Sequence, residues 1–165
     1  MSYSKLEKLK ILQDLAVEKE IKYLHLARIL SKKIKSLSPL AIVRQLYSGN
    51  MNELTIDKAI EELLNYFSSA RESLQSINMI EGSETDRVSK ETIEKIRAFQ
   101  ASYNLTDEKI TRLMARYLGF ATKKRVKIGG LTKQMNGLRL KKETAIVIKM
   151  ALEDYFTIKS EDALK

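Results

Sequence analysis

The chain has 165 residues, 44% of them hydrophobic, one proline, six glycines and a formal net charge of +9. That length supports one domain or two small ones, and the scarcity of helix breakers together with abundant Leu, Ile, Lys and Glu points to an all-α fold. The absence of cysteine excludes disulfide frameworks, thiolate metal sites and thiol nucleophiles. No run of about 18 apolar residues or N-terminal apolar signal is present, so a soluble, cytoplasmic protein is expected.

Near the N-terminus, Leu6, Leu9, Leu12, Leu15 and Ala16 follow helical spacing, and a second apolar series runs through Ile21, Leu24, Ala27, Leu30 and Ile34, so this stretch holds two helices or one bent helix. Ser38-Pro39 reads as an N-cap followed by proline at the first helical position, where its missing N–H costs nothing. The helix it opens ends at Gly49-Asn50, both suited to a left-handed residue. Thr55 can cap a fourth helix whose core face carries Ile56, Ala59, Ile60, Leu63, Leu64 and Phe67. The polar stretch 75–90, with Gly82-Ser83, reads as a connection in which Ile77, Met79 and Ile80 are placed to pack.

Beyond it, Ile93, Ile96, Phe99 and Tyr103 form the next apolar stripe. Thr106 caps a helix with Asp107 and Glu108 in its first turn, which carries Ile110, Leu113, Met114, Tyr117 and Leu118 up to Gly119. Residues 120–128 alternate basic and apolar near their end, compatible with an arm, a hairpin or a long loop. Gly129-Gly130 then precedes a short helix over 131–136 that Gly137 ends, and a last helix from Lys141 to about Ile158 carries Ala145, Ile148, Ala151, Leu152 and Phe156.

The chain also repeats. Glu7-Lys8-Leu9-Lys10 matches Glu94-Lys95-Ile96-Arg97 at an offset of 87 and Ala27-Arg28 matches Ala115-Arg116 at 88, while Thr55, Leu63 and Tyr66-Phe67 match Thr144, Leu152 and Tyr155-Phe156 at 89. Slips of one residue in loops are tolerated in a duplicated fold because they disturb no packed face. Two tandem helical domains of four to five helices each are expected, over 1–80 and 91–165, with a linker at 81–90.

Charge is distributed unevenly between them. From Lys109 to Lys149 twelve lysines and arginines face one acid, Glu143, a surplus of eleven that exceeds the +9 of the whole chain. Solvated faces normally interleave Glu with Lys, so such a run points to a polyanion, and nucleic acid above all.

The order of parts resembles the lambda-repressor-like (Cro-like) helix-turn-helix group. The resemblance lies in Leu105-Thr106-Asp107-Glu108, in Ala115 within Leu113 to Gly119, in Thr132-Lys133-Gln134-Met135-Asn136-Gly137 and in the Ala151-Leu152 helix. Its counterparts in the first copy are Leu26 to Leu30, Ile42 to Asn50 and Leu63-Leu64. The group joins its second and third helices by a tight turn, whereas Leu118 and Gly130 are far apart here.

The resemblance implies a sequence-specific protein for double-stranded DNA, a transcriptional regulator such as serves a phage or plasmid, acting alone or as a homodimer. Its third helices would lie in the major groove. Base contacts then fall to Thr132, Lys133, Gln134 and Asn136 in the second copy and to Arg44, Gln45, Ser48 and Asn50 in the first. Phosphate contacts need only charge and reach, and fall to Lys123, Lys124, Arg125, Lys127, Arg139 and Lys141. A helical interaction or architectural protein, coating nucleic acid without regard to sequence or docking on an acidic partner, is the competing reading.

Enzymatic readings lack residues. The single histidine, His25, sits in an apolar helical pattern, no acidic cluster accompanies the basic segment, and Gly129-Gly130 lacks the Gly-Lys-Ser/Thr ending of a phosphate loop. No cofactor, metal, membrane or small-molecule substrate is expected.

Overall fold

A computed structural model describes residues 3–82, 84–119 and 128–158. The fold is all-α, with eight helices and no strand among the described residues. The chain divides into two compact units, one running through Phe67 and including Ile158, the other Ser68–Thr157. Residues 81–90 thus belong to the second unit.

In the first unit, the Ser4 hydroxyl accepts from the Glu7 N–H at 3.2 Å and opens α1 (Lys5–Glu18), satisfying one of the donors that a helix start leaves unpaired. Leu9, Leu12, Leu15 and Ala16 are buried and Leu6 is not. The helix stops where Glu20 takes a left-handed φ of 54° and the Ile21 N–H reaches back to the Ala16 carbonyl at 2.8 Å. The stretch is therefore two helices.

α2 (Tyr23–Ser31) buries Leu26, Ala27 and Leu30; Leu24, expected in the core series, is exposed and Leu26 takes its place. Packed on α2 is α3 (Pro39–Ser48), capped by Ser38 as its sequence predicts and ended by Gly49 at φ 75°. α4 (Glu53–Gln75) begins before Thr55, because the Asn52 side chain accepts from the Leu54 N–H at 2.8 Å and takes the capping role. Ile56, Ala59, Leu63 and Phe67 are fully buried along it; the larger three side chains each contribute about 1.5–3 kcal/mol.

In the second unit, Ile77, Met79 and Val88 are buried whereas Ile80 is exposed. The segment before α5 (Lys90–Ser102) pairs with residues 140–142. Val88 N–H donates to the Leu140 carbonyl and Lys142 N–H to the Asp86 carbonyl, both at 2.9 Å, and Arg87 Nη1 reaches the Arg139 carbonyl at 2.7 Å. α6 (Asp107–Tyr117) is capped by Thr106 and buries Ile110, Leu113 and Met114. Tyr117 and Leu118, expected on its core face, are exposed where the helix runs out at Gly119, φ 73°.

α7 (Ile128–Asn136) includes Gly129 and Gly130, which sequence reasoning places ahead of it. Its left-handed C-terminal residue is Leu138, φ 54°, not Gly137; the Arg139 N–H closes the turn on the Gln134 carbonyl at 2.9 Å. α8 (Lys142–Tyr155) buries Ala145, Ile148, Ala151, Leu152 and Tyr155 and packs on α6, as α7 also does.

The repeat is legible in these details, in a register that differs from the sequence match. Asn104 is left-handed like Glu20, and Leu105 N–H returns to the Gln100 carbonyl at 2.9 Å as Ile21 N–H returns to Ala16. The correspondence there is 84 positions, not 87 or 88. Across the later helices it is 89: Ile42, Leu46, Met51, Ile56 and Phe67 answer to Leu131, Met135, Leu140, Ala145 and Phe156, every one buried. The five-residue difference falls between α6 and α7.

Candidate nucleic-acid interface

Leu131 and Met135 lie one turn apart on the buried side of α7, which leaves Thr132, Lys133, Gln134 and Asn136 on its flanks and outer side. Lys133 and Asn136 are exposed, Thr132 and Gln134 half-buried. Three of the four are engaged within the unit. The Thr132 hydroxyl donates to Asp107 Oδ2 at 2.8 Å, Gln134 Oε1 accepts from the Lys141 N–H at 3.3 Å, and Asn136 Oδ1 accepts from Arg97 Nη2 at 2.9 Å.

Asp107 is the hub of this network. Arg97 Nη1 donates to its Oδ1 at 2.6 Å, as does Gln100 Nε2 at 2.8 Å. Burial pushes the Asp107 carboxyl up, but the hydrogen bonds from Gln100, Thr132 and Arg97 and the Arg97 charge outweigh it. They hold the group below the ordinary aspartate value of 3.8. α5, α6 and α7 are thereby tied by one carboxylate. Sequence reasoning missed Arg97, Gln100 and Asp107 as determinants. Their one signal is a cation and an amide at (i, i+3) beside the apolar stripe of α5.

The first unit ties its third helix at the corresponding place with different chemistry: Gln13 Nε2 donates to the Leu46 carbonyl at 2.8 Å. Arg44 and Ser48 are exposed on α3, with the Ser48 hydroxyl accepting from the Asn50 N–H at 3.2 Å. Gln45 and Asn50 line an open hollow of about 500 Å³. Exposed Tyr47 meets Tyr23 edge to face, ring centroids 4.8 Å apart.

Of the basic run, Arg112, Arg116, Lys133, Arg139 and Lys141 are exposed. Lys149 Nζ is committed to the Ile77 carbonyl at 2.8 Å and Lys109 Nζ sits 4.8 Å over the Tyr155 ring. Lys123, Lys124, Arg125 and Lys127 lie outside the described residues. His25 is half-buried on α2. Among the described residues no group of His, Asp or Glu is arranged to hold a metal ion, and no helix is long and apolar enough to cross a membrane. Compared with protein families, with curated proteins and with solved structures, the chain matches none.

Proposed function

We propose that this protein binds double-stranded DNA through helix-turn-helix-like units and serves as a transcriptional regulator, without catalysing a reaction. The observation that carries the reading is the exposed basic set Arg112, Arg116, Lys133, Arg139 and Lys141 in a unit where Glu143 is the sole acid from Lys109 to Lys149. Such a field attracts phosphate and raises association rates. α7 and α3 are the groove-facing elements. Each is short, anchored by two apolar residues, tied to the first helix of its unit by one hydrogen bond, and followed by an exposed polar or basic stretch.

Selection of the protein against a random duplex library at near-physiological salt tests this. An enriched motif with two related half-sites supports tandem readout by α3 and α7; absence of enrichment sinks the regulator.

A second reading, a protein that coats nucleic acid without regard to sequence, is favoured by the internal hydrogen bonds of Thr132, Gln134 and Asn136. Side chains already committed at 2.8–3.3 Å have less capacity left for base edges, while Lys133, Arg139 and Lys141 retain their full charge for phosphates.

A further inference from the structure

We propose that the hollow in the first unit is a phosphoryl-binding site. About 500 Å³ in volume, it is lined by Lys5 from α1, Gln45 and Asn50 at the end of α3, and Asn52, Thr55 and Lys58 around the start of α4. That is ample for a phosphate ester.

The chemistry of the wall selects an anion. Two ammoniums, three primary amides and the hydroxyls of Ser36 and Thr55 line it, and no carboxylate does. Acids do occur close by in sequence, at Glu53 and Asp57, but both are ion-paired to Lys8, at 3.3 and 2.9 Å. Neither the Lys5 nor the Lys58 ammonium has an ion pair or hydrogen bond among the described residues, and the Gln45 side chain has none either. Donors without acceptors around a concave space are what a dianion satisfies, through charge-assisted hydrogen bonds from lysines and amides. A neutral or cationic occupant would leave both ammoniums uncompensated. The remaining wall, Ile34, Leu37 and Leu54, offers an apolar side to whatever carries the phosphoryl group.

Two sources present this chemistry: the backbone of a nucleic acid, and a free phosphate ester acting as effector. The site itself does not rest on DNA binding by the second unit; only the first source does.

The test uses the full chain, 15N-labelled, titrated with sodium phosphate against sodium chloride at matched ionic strength. Saturable shifts at the amides of Asn50, Asn52, Thr55 and Lys58 are expected with phosphate alone. The double variant K5Q/K58Q, both positions exposed, should weaken that response about tenfold, and Lys10→Gln on the same helix should leave it unchanged. A response that never saturates, equals that of chloride or survives in K5Q/K58Q overturns the site.

A second titration with random-sequence duplex assigns the source. Shifts at the same amides, reversed by phosphate, mark the backbone; saturable phosphate binding with these amides untouched by DNA marks a free ester. Phosphate binding in a protein that binds no duplex at all would overturn the regulator reading and leave the site standing.

Discussion

Replacing Asp107 by Asn should loosen α7 from the rest of the second unit. The carboxylate accepts from Arg97 at 2.6 Å and from Gln100 and Thr132 at 2.8 Å. An amide at that place keeps one acceptor oxygen and turns an NH2 toward the remaining donor, where the Thr132 hydroxyl can rotate to accept it. The bonds with Gln100 and Thr132 become neutral ones and the ion pair with Arg97 becomes an ion–dipole bond, at ~0.5–1 kcal/mol each. Arg97 is 33% exposed and Asp107 17%, so water screens part of the ion pair, and the total is about 2 kcal/mol. Because the Asp107 pKa is lowered on folding, its contribution is complete above the ordinary value of 3.8 and disappears as pH falls through the lower folded value. Urea titration followed by amide cross-peaks of α6 and α7, at pH 7 and well below pH 3.8, reads both parts. Wild type should exceed the variant by about 2 kcal/mol at neutral pH, and the gap should close in acid. Equal stability at pH 7, or a gap that persists in acid, would refute the hub.

Leu138→Gly should stabilise the second unit by about 1 kcal/mol in urea unfolding, because a left-handed leucine carries a steric cost that glycine lacks; a loss of stability would show that the leucine side chain contributes more by packing. Phe67→Ala and Phe156→Ala, at equivalent fully buried places, should each cost about 3–5 kcal/mol by chemical denaturation, and a near-neutral result at either would break the equivalence. Duplex affinity should fall with salt at a log–log slope near −5 for about six neutralised phosphates, and neutralising Lys123, Lys124 and Arg125 together should shallow it by about 2.7; a flat titration of the wild type removes the basic cluster from the interface.

Little of the candidate site was legible in advance, and Thr132 shows why. Its hydroxyl and methyl suit a base edge, and nothing in its neighbourhood reveals that a carboxylate 25 positions earlier claims the hydroxyl. Gln134 likewise offers a bidentate amide, yet its oxygen meets the Lys141 N–H. Lys133 differs because its place on α7 follows from period alone: with Leu131 and Met135 inward, the residue midway between them faces out.

The amino-acid sequence by itself determined the helices and several of their ends. Period, the Ser38-Pro39 cap, the Thr106 cap and the left-handed Gly49 are local matters, settled by residues within one or two turns of each other. Its 89-position match also pairs buried residues of α4 with buried residues of α8, Ile56 with Ala145 and Leu63 with Leu152. Tertiary structure decided what depends on distant partners. The register of 84 between α1–α2 and α5–α6 rests on matching turns at Glu20 and Asn104, ordinary residues in a conformation their identity does not announce. Leu138 rather than Gly137 turns left-handed because the chain must bring Leu140 and Lys142 onto Val88 and Asp86. The hub at Asp107 exists only when three helices meet, since a hydrogen bond between residues far apart in the chain leaves no period for a sequence to display.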